Sequence, residues 1–302
     1  METRILVPLD GSRLAEQSVS CAMTLGRGLP AELVLFRAVS IPSDVQEALD
    51  KAGLKAGPLM ERLETDANEY LDAMSHLLPK TGLSFSHVVR QGLAADAILD
   101  FLEQSDIQLI VMATHGYTGI KRWTHGSVAE RVLQSASVPV LLVRAKEGVS
   151  NGPPEASPCR RILVPLDGSK VAEQVLPAVT PIARALGCEM TLFQVPIIYA
   201  SGSLIGDWYL PLQGSFETSD QDARDYLERL ATDLREQGIK ASTATWAGAV
   251  AESIVDYAEV NDIDLIAMCT HGRTGIARWA LGSVADRVLR AGDKPILLVR
   301  AR

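Results

Sequence analysis

The stretch Arg4-Ile-Leu-Val-Pro-Leu-Asp-Gly-Ser12 occurs twice in this chain, because it returns unchanged as Arg161-Ile-Leu-Val-Pro-Leu-Asp-Gly-Ser169. The two copies are offset by 157 residues, and a second block, from Met112 to Leu133, matches the block from Met268 to Leu289 at an offset of 156. Sixteen of these 22 positions are identical. Two matching blocks in the same order, spaced by the length of a domain, indicate two copies of one domain and not a solenoid.

The segment between the two copies predicts the domain boundary. Residues 147–158 are rich in glycine, proline, serine and asparagine and carry no hydrophobic period, which is typical of an exposed linker. We therefore predict one domain over 1–146, a linker over 147–158 and a second domain over 159–302. The length of 302 residues agrees with two domains of about 150 residues each.

Each half alternates short apolar strands with amphipathic helices. The predicted strands are 4–8, 32–39, 84–90, 108–113 and 139–144 in the first half, and 162–165, 189–195, 241–246, 264–269 and 295–300 in the second. Apolar strands separated by helices favour a parallel sheet that is covered on both faces. The predicted fold class is therefore α/β, with two tandem doubly wound sandwiches. Such folds bind ligands beyond the carboxyl ends of their strands.

The composition argues against two classes of binding partner, nucleic acids and membranes. The net charge of −8 argues against a nucleic-acid or anionic-membrane binder, which needs a basic face. The longest apolar runs, such as 109–113, are far too short to span a bilayer. No signal-peptide pattern follows Met1, and the four cysteines form no Cys-x-x-Cys motif. We therefore expect a cytoplasmic protein with reduced thiols.

An acidic residue follows the first predicted strand in each half, Asp10 and Asp167. A carboxylate at this place is able to accept hydrogen bonds from an amine or a sugar hydroxyl. An Asp-Gly-Ser turn that starts the next helix, capped by Ser12 in the first half, explains the same residues without a ligand. Both interpretations stay open at this point.

A glycine-containing loop and a helix start follow the fourth strand. The loop reads Thr114-His-Gly-Tyr-Thr-Gly-Ile120 in the first half and Thr270-His-Gly-Arg-Thr-Gly-Ile276 in the second. Its glycines allow backbone amides to approach an anion, although a flexible turn has the same composition. The next helix begins with Gly126-Ser127-Val-Ala-Glu130 or Gly282-Ser283-Val-Ala-Asp286, where the serine either forms a capping box or binds a phosphate. An acid, a glycine loop and a helix start at one sheet edge fit a nucleotide.

Both halves resemble the universal stress protein domain, so the chain is similar to a tandem universal stress protein. The Val-Pro-Leu-Asp-Gly-Ser start and the Thr-His-Gly-x-Thr-Gly…Gly-Ser-Val-Ala-x-Arg-Val-Leu block carry this resemblance. It implies a five-stranded parallel sheet in each half, of the adenine nucleotide alpha hydrolase-like class. It also implies pseudo-twofold, dimer-like pairing through the last strands, 140–144 with 296–300, within one chain or in a homodimer.

The nucleotide-binding branch of this family has the pattern Gly-x-x-Gly, nine residues, then Gly-Ser or Gly-Thr. The first glycine is replaced in both halves of this chain, by Ala113 and by Cys269. The other positions are present: Gly116, Gly126 and Ser127 in the first half, and Gly272, Gly282 and Ser283 in the second.

The resemblance also implies which residues surround a bound nucleotide. The base would contact the two aspartates and two residues at the end of the second strand: Asp10 and Ala38, and Asp167 and Val195. The ribose would lie near Met112 and Met268. The phosphates would be held by Gly116, Gly126, Ser127 and Val128, and by Gly272, Gly282, Ser283 and Val284.

The expected ligand is ATP or another adenine nucleotide, with or without Mg²⁺, and the sequence identifies no protein ligand for a metal. The expected role is a nucleotide-binding regulatory protein in the stress response. A slow ATP hydrolase is one alternative, although neither half has a Walker lysine pattern or an acid pair that would hold a metal. A nucleotide-free interaction scaffold, with sites lost at Ala113 and Cys269, is another. The loop over 197–220 differs most between the halves and suggests a lid, a protein-partner contact or a segment folded back on its own domain.

Overall fold

The structure is a computed structural model that describes residues 3–79, 82–114, 127–144, 158–196, 202–205, 208–211, 214–271 and 281–301. The chain divides into two compact units, Met1–Pro158 and Cys159–Arg302, called unit 1 and unit 2 below. Within the described ranges, no helix is long and apolar enough to cross a membrane.

Unit 1 is built on a parallel sheet with helices between its strands. Its elements are β1 (Thr3–Pro8), α1 (Arg13–Gly28), β2 (Ala31–Val39), α2 (Ser43–Lys51), α3 (Gly57–Leu77), β3 (Ser84–Gln91), α4 (Ala94–Glu103), β4 (Leu109–Ala113), α5 (Ser127–Ser135) and β5 (Val140–Val143). The strand order is β3-β2-β1-β4-β5, and every neighbouring pair is parallel.

Unit 2 repeats this plan with an added hairpin. Its elements are β6 (Arg161–Pro165), α6 (Lys170–Glu173), α7 (Leu176–Leu186), β7 (Glu189–Gln194), β8 (Gly202–Ile205), β9 (Trp208–Pro211), α8 (Gly214–Glu236), β10 (Lys240–Thr245), α9 (Val250–Val260), β11 (Leu265–Cys269), α10 (Ser283–Ala291) and β12 (Ile296–Val299). The parallel strands follow the order β10-β7-β6-β11-β12, and β8 pairs with β9 in an antiparallel hairpin. The predicted α/β fold with parallel sheets is confirmed, and all ten predicted strands end within one residue of their expected bounds.

The repeated stretch is the centre of each sheet. β1 lies between β2 and β4, and β6 lies between β7 and β11, so helices cover these strands on both faces. The side chains at 5–7 and 162–164 are completely buried. A strand that is buried on both faces must be apolar at consecutive positions, which is why the stretch shows no polar alternation.

Helices on opposite faces of the unit 1 sheet can be assigned from ring contacts. The Phe36 ring of β2 lies 5.5 Å from the Phe101 ring of α4, and α4 packs against α5. Successive residues of a strand point to opposite faces, and the guanidinium carbon of Arg37 accordingly lies 4.9 Å from the ring centre of Tyr70 in α3. We call the two sides of this sheet the α4 face and the α3 face.

Unit 2 has the same two layers. The Phe193 ring of β7 lies 4.9 Å from the Tyr257 ring of α9, and α9 packs against α10. Cys269 of β11 points to the other side, because its thiol donates to the carbonyl of Ala172 in α6 at 3.5 Å. We call these sides the α9 face and the α6 face.

Three features differ from the sequence-based expectation. The repeat predicts the same plan in both halves, with one helix after the first strand, but in unit 2 this region is divided into α6 and α7. Pro177 lies in the first turn of α7, and proline has no amide hydrogen to continue an earlier helix. Helix α2 and the β8–β9 hairpin were not predicted, since both lie in the segments that follow β2 and β7, where the two halves diverge in sequence.

The cap of α1 gives a test of the local structure. Ser12 Oγ accepts a hydrogen bond from the Ala15 amide at 3.1 Å. Ser12→Ala removes this bond, and we expect the free energy of unfolding to fall by about 1 kcal/mol. Chemical denaturation followed by circular dichroism measures the change. Thr65→Ala is the control, because the Thr65 hydroxyl only bonds the Glu61 carbonyl of its own helix at an exposed position. An unchanged unfolding midpoint for Ser12→Ala would contradict the cap.

Candidate functional site

The strand register of unit 1 places two predicted site residues on one face of the sheet. Leu6 of β1 is opposite both Val34 of β2 and Ile110 of β4. Partners across a parallel pair point to the same face, and the direction alternates along each strand. Ala38 and Met112 therefore share a face, and it is the α4 face because Phe36 precedes Ala38 by two positions. Both residues lie at the carboxyl ends of their strands.

Unit 2 repeats the arrangement. Leu163 of β6 is opposite Thr191 of β7 and Ile266 of β11. By the same alternation, Val195 and Met268 share the α9 face, and both side chains are buried. The predicted base and ribose residues thus lie on the same face in each unit.

The start of α10 is attached directly to the end of β11. The Gly282 amide donates to the Thr270 carbonyl at 2.8 Å, and the helix begins at the next residue. An added Cβ at Gly282 would lie 2.7 Å from the Thr270 oxygen, closer than real Cβ atoms approach. This glycine therefore has a packing reason that is independent of any ligand. It brings Ser283 and Val284, the first two helical residues, to the carboxyl edge of the sheet.

Ser283 does not form the capping box that was one of the two interpretations of its motif. The N-cap residue of α10 is Gly282, and the helix start has no side-chain cap. Ser283 is the first residue inside the helix, one position after the N-cap. A side chain caps a helix from the N-cap position, where it accepts a hydrogen bond from an amide two or three residues later. Ser127 is likewise the first residue of α5, and its side chain is exposed. Contact of either serine with a phosphate stays a prediction.

Asp10 and Asp167 hold the same turn in both units. The Ser12 amide donates to Asp10 Oδ1 at 2.9 Å, and the Ser169 amide donates to Asp167 Oδ1 at 2.9 Å. The Ser169 hydroxyl adds a bond of 2.6 Å to the same oxygen. These bonds explain both aspartates without a ligand, and a contact with a base stays a prediction.

The residue that replaces the first glycine in unit 2 is turned away from the predicted site. Cys269 points to the α6 face, whereas Val195 and Met268 lie on the α9 face. Burial raises the pKa of the Cys269 thiol to about 12, so the group is a neutral thiol at ordinary pH. Its extra volume is packed against α6 and does not fill the α9 face.

The two units differ beside the predicted base position. In unit 1, Arg90 of β3 is opposite Ala38, and its guanidinium carbon lies 5.5 Å from the ring centre of Phe101. In unit 2, the 156-residue offset places Trp246 at the corresponding position. Its indole meets the Tyr257 ring edge-on at 5.6 Å and remains 39% exposed. Unit 1 therefore presents a cation at this position, and unit 2 presents an aromatic surface.

An open cleft of about 650 Å³ lies at the carboxyl ends of β2 and β3, between α2 and α3. Its lining includes the carboxylates of Glu61 and Glu64, and Gln91 Nε2 donates to Glu64 Oε1 at 2.8 Å. Negative charges in the wall repel phosphates. The cleft therefore does not suit the phosphate end of a nucleotide.

Some predicted residues lie outside the described part of the chain: Gly116, Gly126 and Gly272. In the ranges that the structure does describe, no group of three histidine, cysteine, aspartate or glutamate side chains is arranged to bind a metal ion. Sequence reasoning did not single out Arg90 or Trp246. Aligning the two halves at the 156-residue offset was the signal that would have found this difference.

The fold and the repeated sequence motifs define a tandem α/β protein whose two units are each built on parallel strands. Residues 1–144 and 158–300 each match the model of the Universal stress protein family, and the chain belongs to that family. Universal stress protein Slr1230 from Synechocystis is 24% identical over 98% of this chain and 99% of its own length, so the match extends over both units. Universal stress protein MJ0531 from Methanocaldococcus jannaschii is 32% identical over 47% of this chain and 82% of its own.

A solved structure supports the same fold over the full length. The crystal structure of a universal stress protein from Archaeoglobus fulgidus covers 98% of this chain and 98% of its own, with a TM-score of 0.65 and 21% sequence identity. At this identity the likeness shows the fold alone.

The contact between Gly282 and Thr270 gives a second test. Gly282→Ala places a methyl group against the Thr270 carbonyl, and we expect a loss of about 1–3 kcal/mol in the free energy of unfolding. Denaturant unfolding without any nucleotide measures it. Gly57→Ala is the matched control, since no atom lies within 4 Å of the added Cβ, and its stability should stay the same or rise slightly. Equal stability of the two variants would show that the segment before α10 is not held against β11.

Proposed function

We propose that each unit binds one adenine nucleotide, with ATP as the principal candidate, at the carboxyl edge of its sheet. We further propose that the protein acts in the stress response as a nucleotide-binding regulator. One observation carries the proposal: in both units, the predicted base and ribose residues share a face with the helix whose first turn is predicted to bind phosphate.

Apolar side chains supply the part of the site that suits a base. Ala38 and Met112 in unit 1, and Val195 and Met268 in unit 2, lie side by side on the α4 face and the α9 face. A planar purine buries apolar surface when it packs against such side chains. Replacement of the first glycine by Cys269 does not oppose this packing, because the thiol is directed to the α6 face.

Helix starts supply the part that suits phosphates. The first amides of a helix have no acceptor within the helix, and the helix dipole makes this end partly positive. α5 and α10 both begin with an exposed serine at this edge. In a chain with a net charge of −8, backbone amides and helix ends hold phosphates where a basic patch would do so in other proteins.

A charge reversal at the helix starts tests the proposal. In the double variant Ser127→Asp, Ser283→Asp, we expect ATP affinity to fall at least about tenfold, because a carboxylate would face the phosphates. The same change should leave the unliganded fold as stable or slightly more stable, by about 0.3–1 kcal/mol per site, since an acid is favourable at a helix start. Isothermal titration with ATP and thermal melting without it measure the two effects separately.

The double variant Thr65→Asp, Thr232→Asp is the matched control. It changes the net charge equally at exposed positions of α3 and α8, and it should bind ATP as the parent does. A parent protein that shows neither heat nor a melting shift with millimolar ATP contradicts the proposal and favours a nucleotide-free scaffold. If the Ser127→Asp, Ser283→Asp variant binds ATP as tightly as the parent, the phosphates do not bind at these helix starts.

The difference between Arg90 and Trp246 predicts that the two proposed sites bind ATP with unequal affinity. Stacking of a base on an aromatic ring contributes about 1–3 kcal/mol, so the exposed indole favours tighter binding in unit 2. Trp246→Ala should weaken the tighter of two ATP binding steps by about tenfold or more, while Arg90→Ala should leave that step unchanged. Titration of both variants against the parent measures it. A larger effect of Arg90→Ala on the tighter step would contradict the assignment.

A further inference from the structure

Two cysteines meet at the amino edge of the unit 2 sheet, opposite the edge with the proposed nucleotide site. Cys159 comes just before β6, and Cys188 comes just before β7. The Cys188 thiol lies 3.8 Å from Cys159 Sγ and donates to the Cys159 carbonyl at 3.1 Å. No disulfide joins them, and both are thiols.

Backbone hydrogen bonds hold the two cysteines in place. The amides of Arg160 and Arg161, which follow Cys159, both donate to Asp264 Oδ2, at 2.7 and 3.0 Å. The amide of Glu189, which follows Cys188, donates to the Arg160 carbonyl at 2.7 Å. Neighbouring strands are about 4.8 Å apart, and disulfides join Cα atoms that are about 4.4–6.8 Å apart. The β6–β7 register pairs Arg161 with Glu189, so Cys159 lies one position away from the residue opposite Cys188. The two sulfurs, 3.8 Å apart, need to move closer by about 1.8 Å to reach the length of a disulfide bond.

The fold itself does not require this pair. The 157-residue offset assigns Glu2 and Ala31 of unit 1 to the positions of the two cysteines, so the first copy of the domain has no cysteine at either position. The pair is thus a property of unit 2 alone.

We propose that Cys159 and Cys188 form a thiol–disulfide site that is oxidised by a hydroperoxide. Cys159 is the more exposed of the two and meets the oxidant first, whereas Cys188 is buried beside it. This division of roles gives one accessible thiol and one resolving thiol.

The chemistry balances with hydrogen peroxide as the oxidant. The Cys159 sulfur attacks one peroxide oxygen, the O–O bond breaks, and a sulfenic acid and one water form. The Cys188 thiolate then attacks the Cys159 sulfur, the S–O bond breaks, and a disulfide and a second water form. Two thiols lose two electrons and two protons, and the peroxide gains them.

The other cysteines differ in their electrostatics. The side-chain hydrogen bond between the two sulfurs lowers the pKa of Cys188, whereas burial and the charge of Asp264 raise it; the net shift is downward. Burial raises the pKa of Cys21 to about 11 and that of Cys269 to about 12. Thiolate is the reactive form, so Cys21 and Cys269 serve as internal controls of low reactivity.

The test uses the full chain with equimolar hydrogen peroxide. We expect peptide mapping without reductant to find Cys159 linked to Cys188, and the count of titratable thiols in denaturant to fall from four to two. Dithiothreitol should restore all four. The double variant Cys21→Ser, Cys269→Ser should still form the link. In Cys188→Ala, Cys159 should accumulate as a sulfenic acid that dimedone traps.

Three results would overturn the proposal. The first is a parent chain whose Cys159 proceeds to sulfinic acid without a link to Cys188. The second is a disulfide that includes Cys21 or Cys269. The third is loss of thiols at an equal rate in Cys159→Ser, a change at a partly exposed position. Because the pair lies at the amino edge and the assay contains no nucleotide, none of these results depends on ATP binding.

Discussion

Burial of the central strand on both faces is the constraint on which each unit depends. β1 and β6 have helices on either side, so their middle residues must be apolar without alternation. The remaining strands of each unit pair in parallel outward from this central strand, so the carboxyl ends of all five strands lie at one edge of the sheet. The turn that comes after the central strand is held by Asp10 or Asp167, which accepts a hydrogen bond from the amide of the serine that caps the next helix.

The same register separates the two faces chemically. Ala38 and Met112 in unit 1, and Val195 and Met268 in unit 2, share a face with the helix whose start is proposed to bind phosphates. Substituents on the opposite face, such as the Cys269 thiol, are accommodated by packing against α6. This is why a departure from the glycine pattern at that position is compatible with a site on the other face. The amino edge of the sheet takes no part in the proposed nucleotide site. At this edge unit 2 has the pair Cys159 and Cys188, whose equivalent positions in unit 1 are not cysteines.

Much of the fold was accessible from sequence because its signals are local and occur twice. The apolar strands and the Ser12 cap could be recognised from neighbouring residues, and the duplication repeated each signal. The division of α6 from α7 was missed because the repeat suggested one helix where Pro177 prevents it. The contact of Cys188 with Cys159 could not be predicted, since the two residues are brought together only by the β6–β7 register. The Gly282–Thr270 contact likewise depends on a chain path that motif spacing does not define.

The central claim is that nucleotide phosphates bind to the first turns of α5 and α10. Hydrogen–deuterium exchange of the full chain, with and without saturating ATP, tests it most directly because it reports on the protection of those amides. The account predicts slower exchange in peptides that span the first turns of α5 and α10 and begin several residues before Ser127 and Ser283, and unchanged exchange in α2 and α3 around the acidic cleft. Protection confined to α2 and α3, or no protection at all, would contradict it.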